Sequence, residues 1–248
     1  MNIAMRDTIV RFGYKMISKG VKLPDSGYEL VSNALNAIYL RDLLNRMRIN
    51  LALDIGAHHG SFVRHLRRIG FKGHIISFEP NPLSFEILSK AHGKDPCWKG
   101  FNIGVGSKNT TMPFYMTDLS CLSSFLKPRS AEVISTQMIE VKRLDHILKD
   151  LLSPVKSPRM FVKIDTQGYD MEVIEGASGC MDMIRGFQSE ISVVPIYENM
   201  PHYLDALRFY ESLGFKLMNL FTVTRSPGCG NVVEYDCLMA RPKAIVDV

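Results

Sequence analysis

INLALDIGAHHGSF, residues 49–62, carries three kinds of local pattern in succession. Residues 49–55 form a short apolar run, Gly56 and Gly60 bound a turn, and Phe62, Leu66 and Ile69 then recur at helical spacing. This spacing predicts a strand, a glycine turn and a helix. Gly70 follows as a left-handed helix cap, and residues 74–78 supply the next apolar run. Pro80, Asn81 and Pro82 then turn the chain into a stretch with Leu83, Ile87, Leu88 and Ala91 on one side. A β-α-β-α order of this kind demands a parallel sheet with right-handed crossovers.

The pattern extends outward from that stretch. Further strands are expected at 98–105, 112–116, 160–164, 187–194, 216–221 and 234–240, with a short helix over 171–174 and another over 203–213 closed by Gly214. The last two strands are separated only by a loop containing Ser226, Pro227 and Gly228, so they should pair antiparallel and give a mostly parallel sheet a reversed last strand. The expected fold is α/β and Rossmann-like, with helices on both faces. Residues 1–48 read as an N-terminal helical cap of two helices separated at 23–27, and 49–248 as the functional domain. The basic first helix suits packing on the domain edge or on a second copy, so a homodimer through the N-terminal helices is one expectation.

Composition narrows the function classes. The 248 residues are 46% hydrophobic and 22% charged, enough for one large domain with a buried core and unlike collagen, coiled-coil or disordered chains. A net charge of +5 is spread along the chain, which argues against a nucleic-acid partner. Five widely spaced cysteines form no zinc pattern and fit a reduced, cytoplasmic setting. No apolar run approaches bilayer length, and Arg6, Asp7, Arg11 and Lys15 interrupt any secretory leader, so neither a transmembrane segment nor a signal peptide is expected.

In an open parallel sheet, ligands bind beyond the carboxyl ends of the strands. Four places there carry chemistry. At the first turn the glycines are four apart and Asp54 precedes them, a carboxylate that repels a pyrophosphate and attracts a cation. Glu79 ends the second strand, where a carboxylate can accept both hydrogen bonds of a ribose diol; its alternative is to satisfy free amides at a helix start. Asp165 ends a central strand, where it serves a ligand or caps the next helix. Glu190 interrupts an apolar strand, which requires a partner such as Lys163 or a functional role. Asp54 and Glu79 together favour S-adenosylmethionine over NAD.

With these residues in place, the chain resembles the FkbM-type S-adenosylmethionine-dependent methyltransferases over about residues 51–241. The resemblance rests on DIGAHHGSF at 54–62, ISFEPNP at 76–82, NIGVGS at 102–107, VKRLDHIL at 141–148, KIDTQGYDMEVIEGA at 163–177 and YDCLMAR at 235–241. It implies a class I methyltransferase fold with a seven-stranded sheet. It also implies cofactor positions at Asp54, Gly56, Ala57, His58 and Gly60, at Glu79, Pro80 and Asn81, and at Asn102 and Asp165. His58 stands where the family usually has Asn, Gln167 where it has Glu, and Asp170 where it has a longer acid.

The resemblance implies methyl transfer to a hydroxyl of a glycan or secondary metabolite. Asp165 is the leading candidate to orient or deprotonate that hydroxyl, with Glu190 and His59 behind it. Asp165 and Glu190 offer two hard oxygen ligands, so a divalent metal stays open. The acceptor should lie among residues 117–127, 195–202 and 222–234, where Tyr197, His202 and Tyr203 can stack on a ring. The competing reading is a non-catalytic module that binds S-adenosylmethionine or a protein partner, left open by His58 and Gln167.

Overall fold

Apolar runs become the centre of the sheet because both of their faces must be covered. In a computed structural model, residue 15 and residues 25–152 and 155–245 are described. The chain divides into two compact units, Met1–Leu40 and Arg41–Val248. Helix α1 spans Asp25–Arg46, so 25–27 open a helix where the sequence suggested a separator; apart from residue 15, which is helical, the first of the two expected helices lies outside the described residues.

In the second unit the chain runs β1 (Leu51–Ile55), α2 (Ser61–Arg68), β2 (His74–Phe78), α3 (Pro82–His92) and β3 (Trp98–Phe101). It continues through β4 (Gly104–Val105), β5 (Thr110–Thr117), β6 (Val133–Lys142) and α4 (Leu144–Leu151). Then come β7 (Met160–Ile164), α5 (Asp170–Glu175), β8 (Ile184–Ser192), α6 (Tyr203–Ser212), β9 (Lys216–Arg225) and β10 (Val232–Ala240). Seven strands form the main sheet in the order β3-β2-β1-β7-β8-β10-β9. Strand β10 runs antiparallel to both β8 and β9, while the neighbours from β3 to β8 are parallel. This is the seven-stranded sheet that the resemblance implies, with the reversed last strand inserted one place from the edge.

Register assigns each face its job. Leu53 pairs with Ile76 and Val162, and Ile55 with Phe78 and Ile164. These side chains pack with Leu144 and Leu148 of α4, Ile174 of α5 and Tyr210 of α6 in one buried cluster. Each large apolar side chain so buried contributes roughly 1.5–3 kcal/mol. The opposite face carries Ala52, Ile75 and Phe161 in register, with the Phe62 ring of α2 stacked 6.5 Å from that of Phe161. Two residues farther along that face, Ser77, Asp54, Lys163 and Gln188 lie side by side across four strands. The apolar face therefore turns polar at the carboxyl ends, where ligands bind.

The structure corrects the middle of the sequence reading. The run at 98–105 is two strands, broken at Asn102 and Ile103, and the strand expected at 112–116 leaves the main sheet to join a second sheet of order β4-β6-β5. Strand β6 carries no clean burial alternation, because most of its residues are exposed and pairing with β5 holds it. Phe114, Met116, Phe125, Val141 and Tyr169 form a small core beneath this sheet.

Gly56 joins the two central strand ends. Its φ is +79°, and a Cβ there would sit 1.9 Å from the carbonyl oxygen of Asp165. Gly56→Ala is expected to cost roughly 3 kcal/mol or more and to lower Tm by about 6–12 °C in a chain of this size. A melting curve matching the unsubstituted protein would contradict this packing.

Candidate active site

The first turn needs left-handed backbone at Gly56, His58 and Gly60, with φ of 79°, 47° and 75°. Asn and His are among the side chains that tolerate this region, so His58 in place of the usual Asn preserves the turn. That bend directs the His58 N–H to Glu79 Oε2 at 2.6 Å, while the Asn81 N–H reaches Glu79 Oε1 at 2.8 Å. Each oxygen of Glu79 thus accepts one backbone hydrogen bond and keeps a lone pair for another donor. Burial raises the Glu79 pKa to about 7, opposed by the two backbone N–H groups.

Asp54 is only 1% exposed, and its Oδ2 has no hydrogen-bond partner. Burial lifts its pKa to about 7, against the pull of the Lys163 ammonium. A buried carboxylate oxygen without a partner costs free energy unless a ligand supplies the donor.

Lys163 is the buried cation of the site. Its Nζ lies 3.0 Å from Asp165 Oδ2 and 3.9 Å from Asp236 Oδ1. Burial opposes its charge, yet Asp165, Asp236 and Glu190 raise its pKa. Burial also opposes ionisation of Asp165, but Lys163 and the Gln167 amide outweigh it and hold the carboxyl below its ordinary range. The Asp165 side chain remains 40% exposed, so it is accessible from the cavity. Glu190 differs: burial, then the facing Asp165 and Glu234, push its pKa well up. Its carboxyl oxygen accepts from Gln167 Nε2 at 2.9 Å, not from Lys163. Asp165 does not cap α5 either; Tyr169 holds the N-cap position with no side-chain hydrogen bond.

A cavity of about 240 Å³ opens over these strand ends, far more than a water molecule fills. Asp54, Gly56, Ala57 and His58 line it, as do Glu79, Pro80, Asp165 and Glu190. Phe114, Ser120, Cys121 and Phe125 wall it from the small sheet and the following segment.

Four expected residues stand behind the lining. Gly60 fits against α3, since a Cβ there would lie 2.4 Å from His92 Nε2. Asn81 caps α3 through the N–H groups of Leu83 and Ser84. Asn102 Nδ2 donates to the carbonyls of Glu79 and Pro80 at 2.7 and 3.0 Å, which fixes the loop carrying Glu79. The His59 ring stacks 3.7 Å from that of His58. On the acceptor side, Tyr197 is 1% exposed and hydrogen-bonded inward, so it packs the loop and offers no free face. Lys163 and Gln167, to which the sequence alone assigns no site role, also line the cavity. Their motif was visible, but their partners on other strands were not.

Two features test the fit of exogenous groups. The oxygens of Asp165 are engaged by Lys163 and Gln167, and among the described residues no group of three or more His, Cys, Asp or Glu side chains is placed to hold a metal ion. An ammonium beside the carboxylate makes a poor setting for a divalent cation. The orphaned Asp54 oxygen and the open lone pairs of Glu79, by contrast, suit a ligand with a cationic group and a vicinal diol.

Residues 54–217 match the model of the methyltransferase FkbM domain. No curated protein matches the chain. Similar solved structures include the magnesium protoporphyrin IX methyltransferase of Synechocystis with bound SAM, 10% identical over 89% of this chain and 86% of that one, TM-score 0.46. The precorrin-6y C5,15-methyltransferase of Geobacter metallireducens is 13% identical over 80% and 85%, TM-score 0.43. An rRNA methylase of Streptococcus thermophilus is 10% identical over 84% and 94%, TM-score 0.46. The match to the family model spans well over half of the sequence and includes both Asp54 and Glu79, and the chain therefore belongs to the FkbM family of S-adenosylmethionine-dependent methyltransferases.

Proposed function

We propose that this protein transfers the methyl group of S-adenosylmethionine to a hydroxyl of a glycan or secondary metabolite. The observation that carries the cofactor reading is the pair of carboxyl groups at adjacent strand ends, Glu79 with two open lone pairs and Asp54 with an unpartnered oxygen. Glu79 would accept the two ribose hydroxyls, and Asp54 a donor from the cationic part of the cofactor. Four carboxyl groups line the cavity against one lysine, a balance that favours a positively charged ligand.

The bound cofactor supplies an electrophilic methyl group on a sulfonium that leaves as a neutral thioether. The protein must align an acceptor oxygen in line with it and exclude water. Asp165, ionised and accessible, accepts the hydrogen bond of the incoming hydroxyl and takes its proton as the new C–O bond forms. Lys163 keeps Asp165 ionised and oriented. Phe114 and Phe125, which line the cavity, would help exclude water from it.

Three outcomes are expected. Glu79→Ala weakens S-adenosylhomocysteine binding by about 1–3 kcal/mol, measured by calorimetry; unaltered affinity would contradict the ribose assignment. A cationic ligand favours the ionised forms of Asp54 and Glu79, whose values near 7 mean that both are partly protonated at neutral pH. S-adenosylmethionine binding should therefore tighten as pH rises from about 6 to about 8 and release protons near neutrality, with a weaker trend for S-adenosylhomocysteine; calorimetry in buffers of different ionisation enthalpy reads this, and pH-independent affinity would oppose it. Finally, Asp165→Asn should abolish transfer of tritiated methyl into the hydroxyl-bearing fraction of a cell extract while cofactor affinity persists. Transfer at the unsubstituted rate would remove Asp165 from the mechanism.

A further inference from the structure

Gln167 stands where the family usually carries an acid, and its side chain meets three others. Its Nε2 donates to Asp165 Oδ1 at 3.0 Å and to Glu190 Oε2 at 2.9 Å, so both amide hydrogens go to carboxyl groups. Its Oε1 accepts from the Tyr197 hydroxyl at 2.8 Å. That hydroxyl also lies 2.9 Å from the carbonyl of Leu122, in the segment that walls the cavity. The backbone is equally constrained: Gln167 has φ of 54°, and its carbonyl accepts from Ser124 Oγ at 2.8 Å. Asp170 holds the approach to it, accepting from the N–H and hydroxyl of Thr166, the N–H of Glu190 and the hydroxyl of Ser189. The amide cannot turn over without aiming its oxygen at two carboxyl groups.

We propose that Gln167 is a positioning residue for the acceptor end of the site: its side-chain amide spaces the Asp165 and Glu190 carboxyl groups as one unit and ties that unit, through Tyr197, to residues 118–127. This rests on the reading of Asp165 as the group that receives the hydroxyl proton. Two acids this close repel when both ionise, and an NH2 group between them offsets that repulsion without adding charge. The surroundings then divide their roles. Asp165 faces Lys163 from its own strand, His58 from the first turn, Asp170 from the start of α5, and Glu234 and Asp236 from β10, with Asp54 and Glu79 beyond. Glu190 faces Asp165, Glu234 and Asp236, with Lys163 as the cation in its surroundings. Lys163 and the Gln167 amide favour the ionised form of Asp165, whereas burial and the neighbouring acids favour the protonated form of Glu190, so the two carboxyl groups are pushed in opposite directions. A glutamate at 167 would bring a third acid and no donor.

The test requires no acceptor molecule. In the full chain labelled with 13C at Asp and Glu carboxyl carbons, NMR titration should show Asp165 ionising below the ordinary aspartate range and Glu190 above the ordinary glutamate range. Gln167→Ala should weaken Asp165 as an acid by about tenfold. Gln167→Glu, of the same shape but without the donor, should shift it at least as far and serves if the alanine variant fails to fold. Tyr197→Phe should give a smaller shift in the same direction. An unchanged Asp165 titration in a folded Gln167 variant would overturn the proposal. If the unsubstituted chain fails to bind S-adenosylhomocysteine, the cofactor reading falls instead, while the titration shifts still support the role of the amide.

Discussion

Two carboxyl groups held almost out of water at the ends of adjacent parallel strands set the terms for the rest of this molecule. Asp54 and Glu79 are 1% and 5% exposed. Burying such groups is costly unless donors or cations compensate. The fold compensates in part: backbone N–H groups of two successive loops serve Glu79, and Lys163 faces Asp54 from the neighbouring strand. It leaves an Asp54 oxygen unserved. A ligand bringing its own donors and positive charge would relieve that deficit.

The scaffold exists to keep that arrangement fixed. Gly56 allows the ends of β1 and β7 to meet at backbone contact, which no other side chain permits. Asn102 clamps the loop that carries Glu79, and Asn81 starts α3 from the same loop. The second sheet and the segment that follows β5 supply an aromatic wall of the cavity, Phe114 and Phe125. Behind that wall charge is partitioned. Lys163 serves Asp165 and Asp236, while Gln167, neutral and bifunctional, links Asp165 to Glu190.

Much of this was legible in the sequence for a physical reason. Strands β1, β2 and β7 are buried on both faces, so they read as unbroken apolar runs, and the glycines and prolines between them mark turns that few other residues can make. Asp54, Glu79 and Asp165 could be singled out because each is an acid at the end of such a run. Strand β6 escaped notice because its residues are exposed and its existence depends on pairing with β5. The sequence places Gly60 in the first turn among the implied cofactor positions, but the space beside it is taken by His92 and Leu88 of α3, a contact that no local pattern encodes. Gln167 read as a departure from a motif; its meaning lies in Tyr197, thirty residues away in sequence and on another loop.

The most direct measurement is a crystal structure of the protein with S-adenosylhomocysteine. The account predicts both ribose hydroxyls within about 2.6–3.2 Å of the Glu79 carboxylate, the amino acid portion toward Asp54, and the open side of the sulfur toward Asp165. A nucleoside bound elsewhere, or ribose hydroxyls out of reach of Glu79, would contradict it.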